Sequence, residues 1–553
     1  MSLTSRLVSW LMKLPPAQTR KIVITRDLRV PMPDGAILLA DHYTPRQGSN
    51  LPTILVRSPY GRRGYVSLLY ALPYAERGYQ VVIQSCRGTD GSAGNFTFAR
   101  LEHDDGLATL AWLKQQPWFS GSLAMVGESY LGFAQWSIAA ETGPELKAIF
   151  PTRTSSDFNH FRFPGGSLLL EMWLDWTTWM TVLTTTKTTF LRTMLTQNKR
   201  KRLLLQAFQH LPLKEADRMI IQQPSESFQE TLSFGPEHEH WQDIDRSHSM
   251  QNVTIPVHLT AGWYDLLLLW QLKDYQALRA AGQEPHLTIG PWTHPNPAAT
   301  ASATREALTW LPAYIAGKPG PTDQALVRLY VMGVNTWRDF SSWPPPAQVQ
   351  PWYLQPGQSL SVTPPPPCAP DQYRYDPTNP TPSVGGNSLG PTATPGPRDN
   401  RALEARADVL VYTSAILEKE LEIIGPVVAN LYVHSTLKYT DFFTRLCVIE
   451  PSGKSMNLCD NILRLTPESD ITEGNEVWHI QIELWPTAYR FQPGQRIRVQ
   501  VSSGAHPRFA RNPGSGEPLG TATILQQAEQ TIYHDPEHPS AFLLPVVQEV
   551  GAP

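Results

Sequence analysis

Leu123-Ala124-Met125-Val126-Gly127-Glu128-Ser129-Tyr130-Leu131-Gly132 is the stretch on which the fold turns. Four apolar residues behind turn formers read as a buried strand, and Phe133 to Thr142 continues with apolar residues at helical spacing. Gly127 lets the chain turn sharply between the two without a Cβ clash. Ser129 therefore stands on a strand-to-helix corner, its oxygen exposed and a helix N-terminus pointing at it. A serine hydroxyl is a poor nucleophile until a base accepts its proton. Alone, this serine could equally be a helix cap. The second glycine expected two places after the serine is Leu131, with Gly132 one place later.

Outward from this corner the same alternation recurs. Thr53-Ile54-Leu55-Val56 and Tyr79-Gln80-Val81-Val82-Ile83 are short apolar runs, separated by helix-like segments near 66–77 and 102–115. Further strands fit Ala148-Ile149-Phe150, Val257-His258-Leu259-Thr260 and His286-Leu287-Thr288-Ile289, and a helix fits 303–316. Strands alternating with helices predict a parallel sheet covered on both faces. Residues 20–45 read as a β-hairpin ahead of it, turning at Pro33-Asp34-Gly35.

Two later strand ends carry the residues that Ser129 needs. Gly262-Trp263-Tyr264-Asp265 follows one strand, and Gly290-Pro291-Trp292-Thr293-His294 follows the next. The chain order Ser, Asp, His is the α/β-hydrolase order. Each residue alone has a blander reading, as a cap or a loop histidine, but three at successive strand ends make coincidence improbable. Asp265 is expected to orient His294, and His294 to take the Ser129 proton. The oxyanion donors expected are the Tyr130 backbone amide and a group on the loop Arg57-Ser58-Pro59-Tyr60-Gly61, where the Tyr60 hydroxyl could serve.

Between Phe150 and Val257 the text turns helical and aromatic. Trp173, Trp176 and Trp179 lie at helical spacing. Such a stripe is ordinary core or the apolar wall of a small-ligand site; Trp173, Trp176, Trp263 and Leu266 are the pocket candidates. From about 325 strands run on without helices, as in Ile480-Gln481-Ile482-Glu483-Leu484, which reads as an all-β sandwich. Residues 362–400, rich in Pro, Thr, Gly and Asn, are a long ordered loop or linker.

Two other motifs look chemical and are read as structural. Arg87-Gly88-Thr89-Asp90-Gly91-Ser92-Ala93-Gly94 has neither the Lys-Ser/Thr ending of a P-loop nor a dinucleotide glycine spacing. His238-Glu239-His240 with Asp243 has a non-specific spacing on a probable loop, so no metal is expected.

Composition bounds the rest. At 553 residues, with 41% hydrophobic and 17% charged residues, the chain predicts two or three folded domains. A net charge of −3 gives no electrostatic reason for nucleic acid or an anionic membrane as partner. Four cysteines are too sparse for a disulfide framework; Cys447 and Cys459 read as buried free thiols rather than a pair. The apolar run at Leu7 to Met12 is short, precedes Lys13 and Pro15-Pro16, and lacks a small-residue cleavage site. It predicts an amphipathic helix, not a signal peptide or a span, and a cytoplasmic protein.

These motifs together resemble the CocE/NonD hydrolases, the group that includes cocaine esterase and the S15-like X-Pro dipeptidyl-peptidases. The likeness is carried by Arg57-Ser58-Pro59-Tyr60, Arg87-Gly88, Gln116-Pro117-Trp118, the serine corner in its G-x-S-Y-x-G form, and the Asp265 and His294 segments. In the second half it is carried by Glu404 to Leu410, Gly425-Pro426, Thr440-Asp441-Phe442, and Ser502-Ser503 through Pro507-Arg508-Phe509. The resemblance implies an α/β-hydrolase core over 20–150 and 251–320, a helical cap inserted at 151–250, and a C-terminal jelly-roll sandwich over 321–553. It also implies that Tyr60 and Tyr130 form the oxyanion hole and that no cofactor is needed. One departure is Ser85, where the family carries an aspartate.

Members that recognise a free α-amino group place acidic residues just after the catalytic aspartate, whereas here Leu266-Leu267-Leu268-Leu269 follows. A buried ammonium against leucines would lose its hydration without compensation. A carboxylesterase or acylase acting on a small ester or amide is expected. An X-Pro-type dipeptidyl-peptidase remains the alternative, since Asp157, Glu171 or Asp175 of the cap could supply charge. A non-catalytic carbohydrate-binding or scaffold protein is the alternative from another class. A homo-oligomer is compatible with either.

Overall fold

Alternation along single strands decides the two faces of the first sheet. In Thr53–Ser58, Ile54 and Val56 point to one side and Leu55 to the other, and Val81 and Ile83 oppose Val82 likewise. One face packs under Leu308 and Leu311 of the helix Pro297–Ala316; the other packs under Phe133 and Trp136 of the helix Tyr130–Ala139. A strand apolar on both faces must be covered on both. This is a computed structural model that describes residues 3–185, 197–321, 324–469, 472–474 and 477–547.

The strands are β1 (Ile22–Pro31), β2 (Ile37–Pro45), β3 (Thr53–Ser58), β4 (Gln80–Ser85), β5 (Leu123–Glu128), β6 (Leu146–Thr152), β7 (His258–Tyr264), β8 (His286–Thr293), β9 (Val327–Val331) and β10 (Thr336–Phe340). Their order is β1-β2-β4-β3-β5-β6-β7-β8-β9-β10. Pairings from β4 and β3 through to β9 are parallel, with the β1-β2 hairpin and β10 as antiparallel additions. Ser129, Asp265 and His294 follow the carboxyl ends of β5, β7 and β8, at one edge of this sheet.

The first domain runs further than the sequence suggests. Strands β9 and β10 join its sheet, so a boundary at 320 cuts through it. The apolar alternation of Val327-Arg328-Leu329-Tyr330-Val331 looks the same whichever sheet receives it.

Helices Leu170–Thr185, Gln197–Ala207, Ala216–Ile221 and Glu226–Ser233, with intervening 3₁₀ turns, form the insertion between β6 and β7. From Gln348 onward the chain is mainly β, its strands antiparallel except where Ser359–Ser361 meets Leu410–Ser414. Cys447 and Cys459 lie on adjacent strands as buried free thiols. The N-terminal segment is helical over Leu3–Leu11, and no described helix is long and apolar enough to cross a membrane.

The Arg87-to-Gly94 segment is a structural turn. A Cβ at Gly88 would lie 2.2 Å from the Phe96 amide nitrogen, and Arg87 spans Asp105 and Asp34 at 2.6 and 2.7 Å. The ion pair that an aspartate at 85 would make is replaced nearby. Arg62 Nη1 donates to Asp90 Oδ2 at 2.8 Å and to Ser85 Oγ at 3.1 Å. His240 is engaged with Arg100 and Glu230, while His238 and Glu239 face solvent.

Candidate active site

Ser129 sits at φ 56° and ψ −123°, a left-handed conformation that a serine adopts only under constraint. The constraint comes from both sides: its N–H donates to Thr152 O at 2.9 Å, and Thr154 Oγ1 donates to its carbonyl at 2.8 Å. Gly127, at φ 152°, lets Leu131 cross close by, since a Cβ there would lie 2.5 Å from Leu131 Cβ. Gly132 faces Thr154, whose Cγ2 would be 2.4 Å from an added Cβ. That contact explains the late glycine: the close approach falls at 132, not 131.

Three distant residues converge here. His294 Nε2 lies 3.1 Å from Ser129 Oγ, and His294 Nδ1 lies 2.8 Å from Asp265 Oδ2. Asp265 is fully buried, and its other oxygen accepts the Leu267 N–H at 2.8 Å. With Nδ1–H committed to the carboxylate, Nε2 is left to accept the serine proton.

The side chain of Tyr130 is structural: its hydroxyl donates to Glu102 and accepts the Ala99 N–H, both at 3.0 Å. Its amide is the first of the helix Tyr130–Ala139, and first-turn amides have no partner within a helix. Tyr60 stands opposite, on the loop after β3. Burial holds its hydroxyl well above the ordinary phenol range, against the downward pull of Trp176 and Ser129. Trp176 Nε1 donates to Tyr60 Oη at 3.3 Å, and Trp179 stacks on the Tyr60 ring at 5.5 Å. Donation into the oxygen leaves the Tyr60 O–H free to point elsewhere.

A small cavity opens on Ser129 and His294. Trp173, Trp176 and Leu266 line it, with Phe158, Phe161 and Leu389. Trp263 does not: it is buried elsewhere, its Nε1 donating to Tyr330 O at 2.7 Å and its ring against Trp343. The Tyr330 carbonyl gives its buried N–H a partner there, which the aromatic and aliphatic wall of the cavity does not offer.

The cap carboxylates are occupied. Asp157 accepts from His160 Nδ1 at 2.8 Å and Asp175 from Arg200 Nε at 2.7 Å. Glu171 is buried, which pushes its carboxyl up to about 7, and Thr392 hydrogen-bonds it. Beside the nucleophile, burial would raise Glu128, but Arg153 and Thr300 hold it below the usual range.

Two residues of this site gave no chemical signal in the sequence. Leu389 enters the cavity and Asn387 bonds the Asp265 loop, both from the proline-rich 362–400 segment. The doublet Gly385-Gly386 just before them, at φ 67° and 84°, was the available sign of a tightly specified turn.

The chain is similar to known proteins over nearly its whole length. Residues 34–296 match the family described as X-Pro dipeptidyl-peptidase (S15 family), and residues 320–542 its C-terminal non-catalytic domain. The chain is 31% identical over 572 residues to a cocaine esterase of Rhodococcus sp., covering 95% of this chain and 99% of that one. Among solved structures, an aminopeptidase from a marine-sediment Thaumarchaeota archaeon superposes with TM-score 0.82 at 22% identity, over 97% and 98% of the two chains. A CocE/NonD family hydrolase from Staphylococcus aureus gives TM-score 0.70 at 16% identity, over 95% and 94%. These last two likenesses speak for the fold, while the full-length identity to the Rhodococcus esterase speaks for descent. The chain belongs to the CocE/NonD family of serine hydrolases.

Proposed function

We propose that the protein is a carboxylesterase or acylase that cleaves small esters or amides with an uncharged acyl group, through an acyl-enzyme on Ser129. The observation that carries this reading is the relay from Ser129 Oγ to His294 Nε2 at 3.1 Å and from His294 Nδ1 to Asp265 at 2.8 Å. His294 takes the hydroxyl proton as Ser129 Oγ attacks the carbonyl carbon. The Tyr130 amide and the Tyr60 hydroxyl receive the developing oxyanion, and His294 returns the proton to the leaving group. Water then repeats the sequence on the acyl-enzyme. Asp265 holds the imidazole ring and its tautomer.

The acyl wall supports an apolar substrate. Phe158, Phe161, Trp173 and Leu266 offer no charge, and the cap carboxylates Asp157 and Asp175 are already paired. An X-Pro-type dipeptidyl-peptidase is the second reading, favoured by the family match over residues 34–296. It needs an anion for the substrate ammonium. Of the three cap candidates, Glu171 is the carboxylate left without a cationic partner among the described residues, but its carboxyl is only partly ionised at neutral pH.

A fluorophosphonate probe tests the nucleophile: wild type must label and Ser129→Ala must not. Parallel kinetics on p-nitrophenyl acetate and Gly-Pro-p-nitroanilide test the substrate class. Faster turnover of the anilide would replace the esterase reading with the peptidase one.

A further inference from the structure

A side chain from the second domain holds the loop that carries Asp265. Asn387 is 1% exposed, and its Nδ2 donates to Trp263 O at 3.0 Å and to Asp265 O at 2.9 Å. One amide NH₂ thus uses both hydrogens on two carbonyls that flank Tyr264, where β7 ends and the acid's loop begins. The same loop is bent by Asp265 N–H donating to Gly262 O at 2.9 Å, and a Cβ at Gly262 would lie 2.3 Å from Trp292 O. The Asp265 carbonyl also accepts the Leu268 N–H at 3.3 Å, so Asn387 adds a second, shorter bond to it from elsewhere in the chain.

The anchor behind Asn387 is rigid. Gly386 exchanges two hydrogen bonds with Gly396, both 2.9 Å, closing the segment into a tight loop. A Cβ on Gly386 would lie 2.7 Å from both Arg508 Nη1 and Asp460 Oδ2. Those two groups form a buried ion pair of 2.5 Å, which Arg445 joins from the other side at 2.8 Å. The connection runs from this buried charge cluster through Gly386 to Asn387, and on through Asp265 and His294 to Ser129. The hydrogen bonds from Asn387 to Asp265, from Asp265 to His294 and from His294 to Ser129 measure 2.9, 2.8 and 3.1 Å.

We propose that Asn387 is a positioning residue for the reaction: its carboxamide fixes the backbone of residues 263–265 so that the Asp265 carboxylate stays aligned on His294. This rests on the reading of Ser129, Asp265 and His294 as the catalytic set. Asn387 does not line the cavity at Ser129, so it acts on turnover and not on substrate binding. A carboxylate displaced by a fraction of an ångström no longer holds the imidazole square to the serine, and misplacement of about 1 Å can cost on the order of 10²-fold in rate.

The test compares Asn387→Ala with Asn387→Asp in the full-length protein. The aspartate has the shape of asparagine but no N–H, and it faces two carbonyl oxygens. Both variants are expected to lose about 10- to 100-fold in kcat on p-nitrophenyl acetate with KM within roughly twofold of wild type. Fluorophosphonate labelling of Ser129 should slow in parallel. Labelling is read per folded molecule, so partial misfolding does not mask the result. Hydrogen exchange of the amides of 264–268 should quicken in Asn387→Asp. Wild-type kcat and labelling in Asn387→Asp, alongside a loss only in Asn387→Ala, would mean that Asn387 fills space, and would overturn the proposal. Unchanged exchange in a variant with impaired turnover would overturn it too. Failure of wild type itself to label would instead strike the underlying assignment of Ser129.

Discussion

The indole N–H of Trp176, a cap residue, donates to the hydroxyl oxygen of Tyr60, a residue of the sheet's first βα loop, across 3.3 Å. The cap thereby touches, on its acceptor side, the hydroxyl that we propose receives the oxyanion.

Tyr60→Phe is expected to lower kcat on p-nitrophenyl acetate by about 10²-fold, the usual consequence of losing one oxyanion donor. Trp176→Phe keeps the Tyr60 donor, losing the N–H that orients it and part of the cavity wall, so its loss should be smaller, below about tenfold. Steady-state kinetics on the two variants checks the order. A larger loss from Trp176→Phe than from Tyr60→Phe would remove Tyr60 from the oxyanion hole.

Glu171 makes stability depend on pH. Burial raises its carboxyl from 4.5 to about 7, so the folded protein holds this proton more tightly than the unfolded chain does. The stability linked to it is fully present below about pH 4.5 and is lost as the pH rises through about 7, at most roughly 3 kcal/mol in all. Glu171→Gln should flatten the fall of Tm between pH 5 and 8. Parallel Tm-against-pH curves for variant and wild type would disprove the linkage.

Gly132→Ala should destabilise by about 1–3 kcal/mol, because its Cβ would press into Thr154 Cγ2 at 2.4 Å. Thr154→Ser removes that methyl and keeps the hydroxyl that bonds the Ser129 carbonyl. The double variant should recover part of the loss in chemical denaturation, since Thr154 Cβ would still lie 2.7 Å from the added carbon. An additive double variant would show that the crowding lies elsewhere.

The strand ends that bear Ser129, Asp265 and His294 were legible because short apolar runs and turn residues mark them locally. Trp263 was misread because its place at a strand end does not say what receives its indole, and the acceptor is a carbonyl on β9, 67 residues further on. The limit of the first sheet was misplaced because β9 reads as a strand without saying which sheet it joins. Asn387 and Leu389 were invisible, since their roles depend on a contact more than 120 residues away in sequence. Only the glycine doublet before them hinted at a fixed conformation. The resemblance to known hydrolases pointed to Tyr60, which pattern alone left equally open as a packed aromatic.

Leu389 forms one wall of the reaction chamber, and it belongs to the half of the chain matched as non-catalytic. A fragment ending near residue 320 would retain Ser129, Asp265 and His294 yet lose two strands of its own sheet and the Leu389 wall of the cavity. Excising the second half therefore does not yield a minimal enzyme. For anyone engineering this protein, the two halves are a single catalytic unit, and shuffling them between relatives must carry residues 385–396 together with the segment that they embrace.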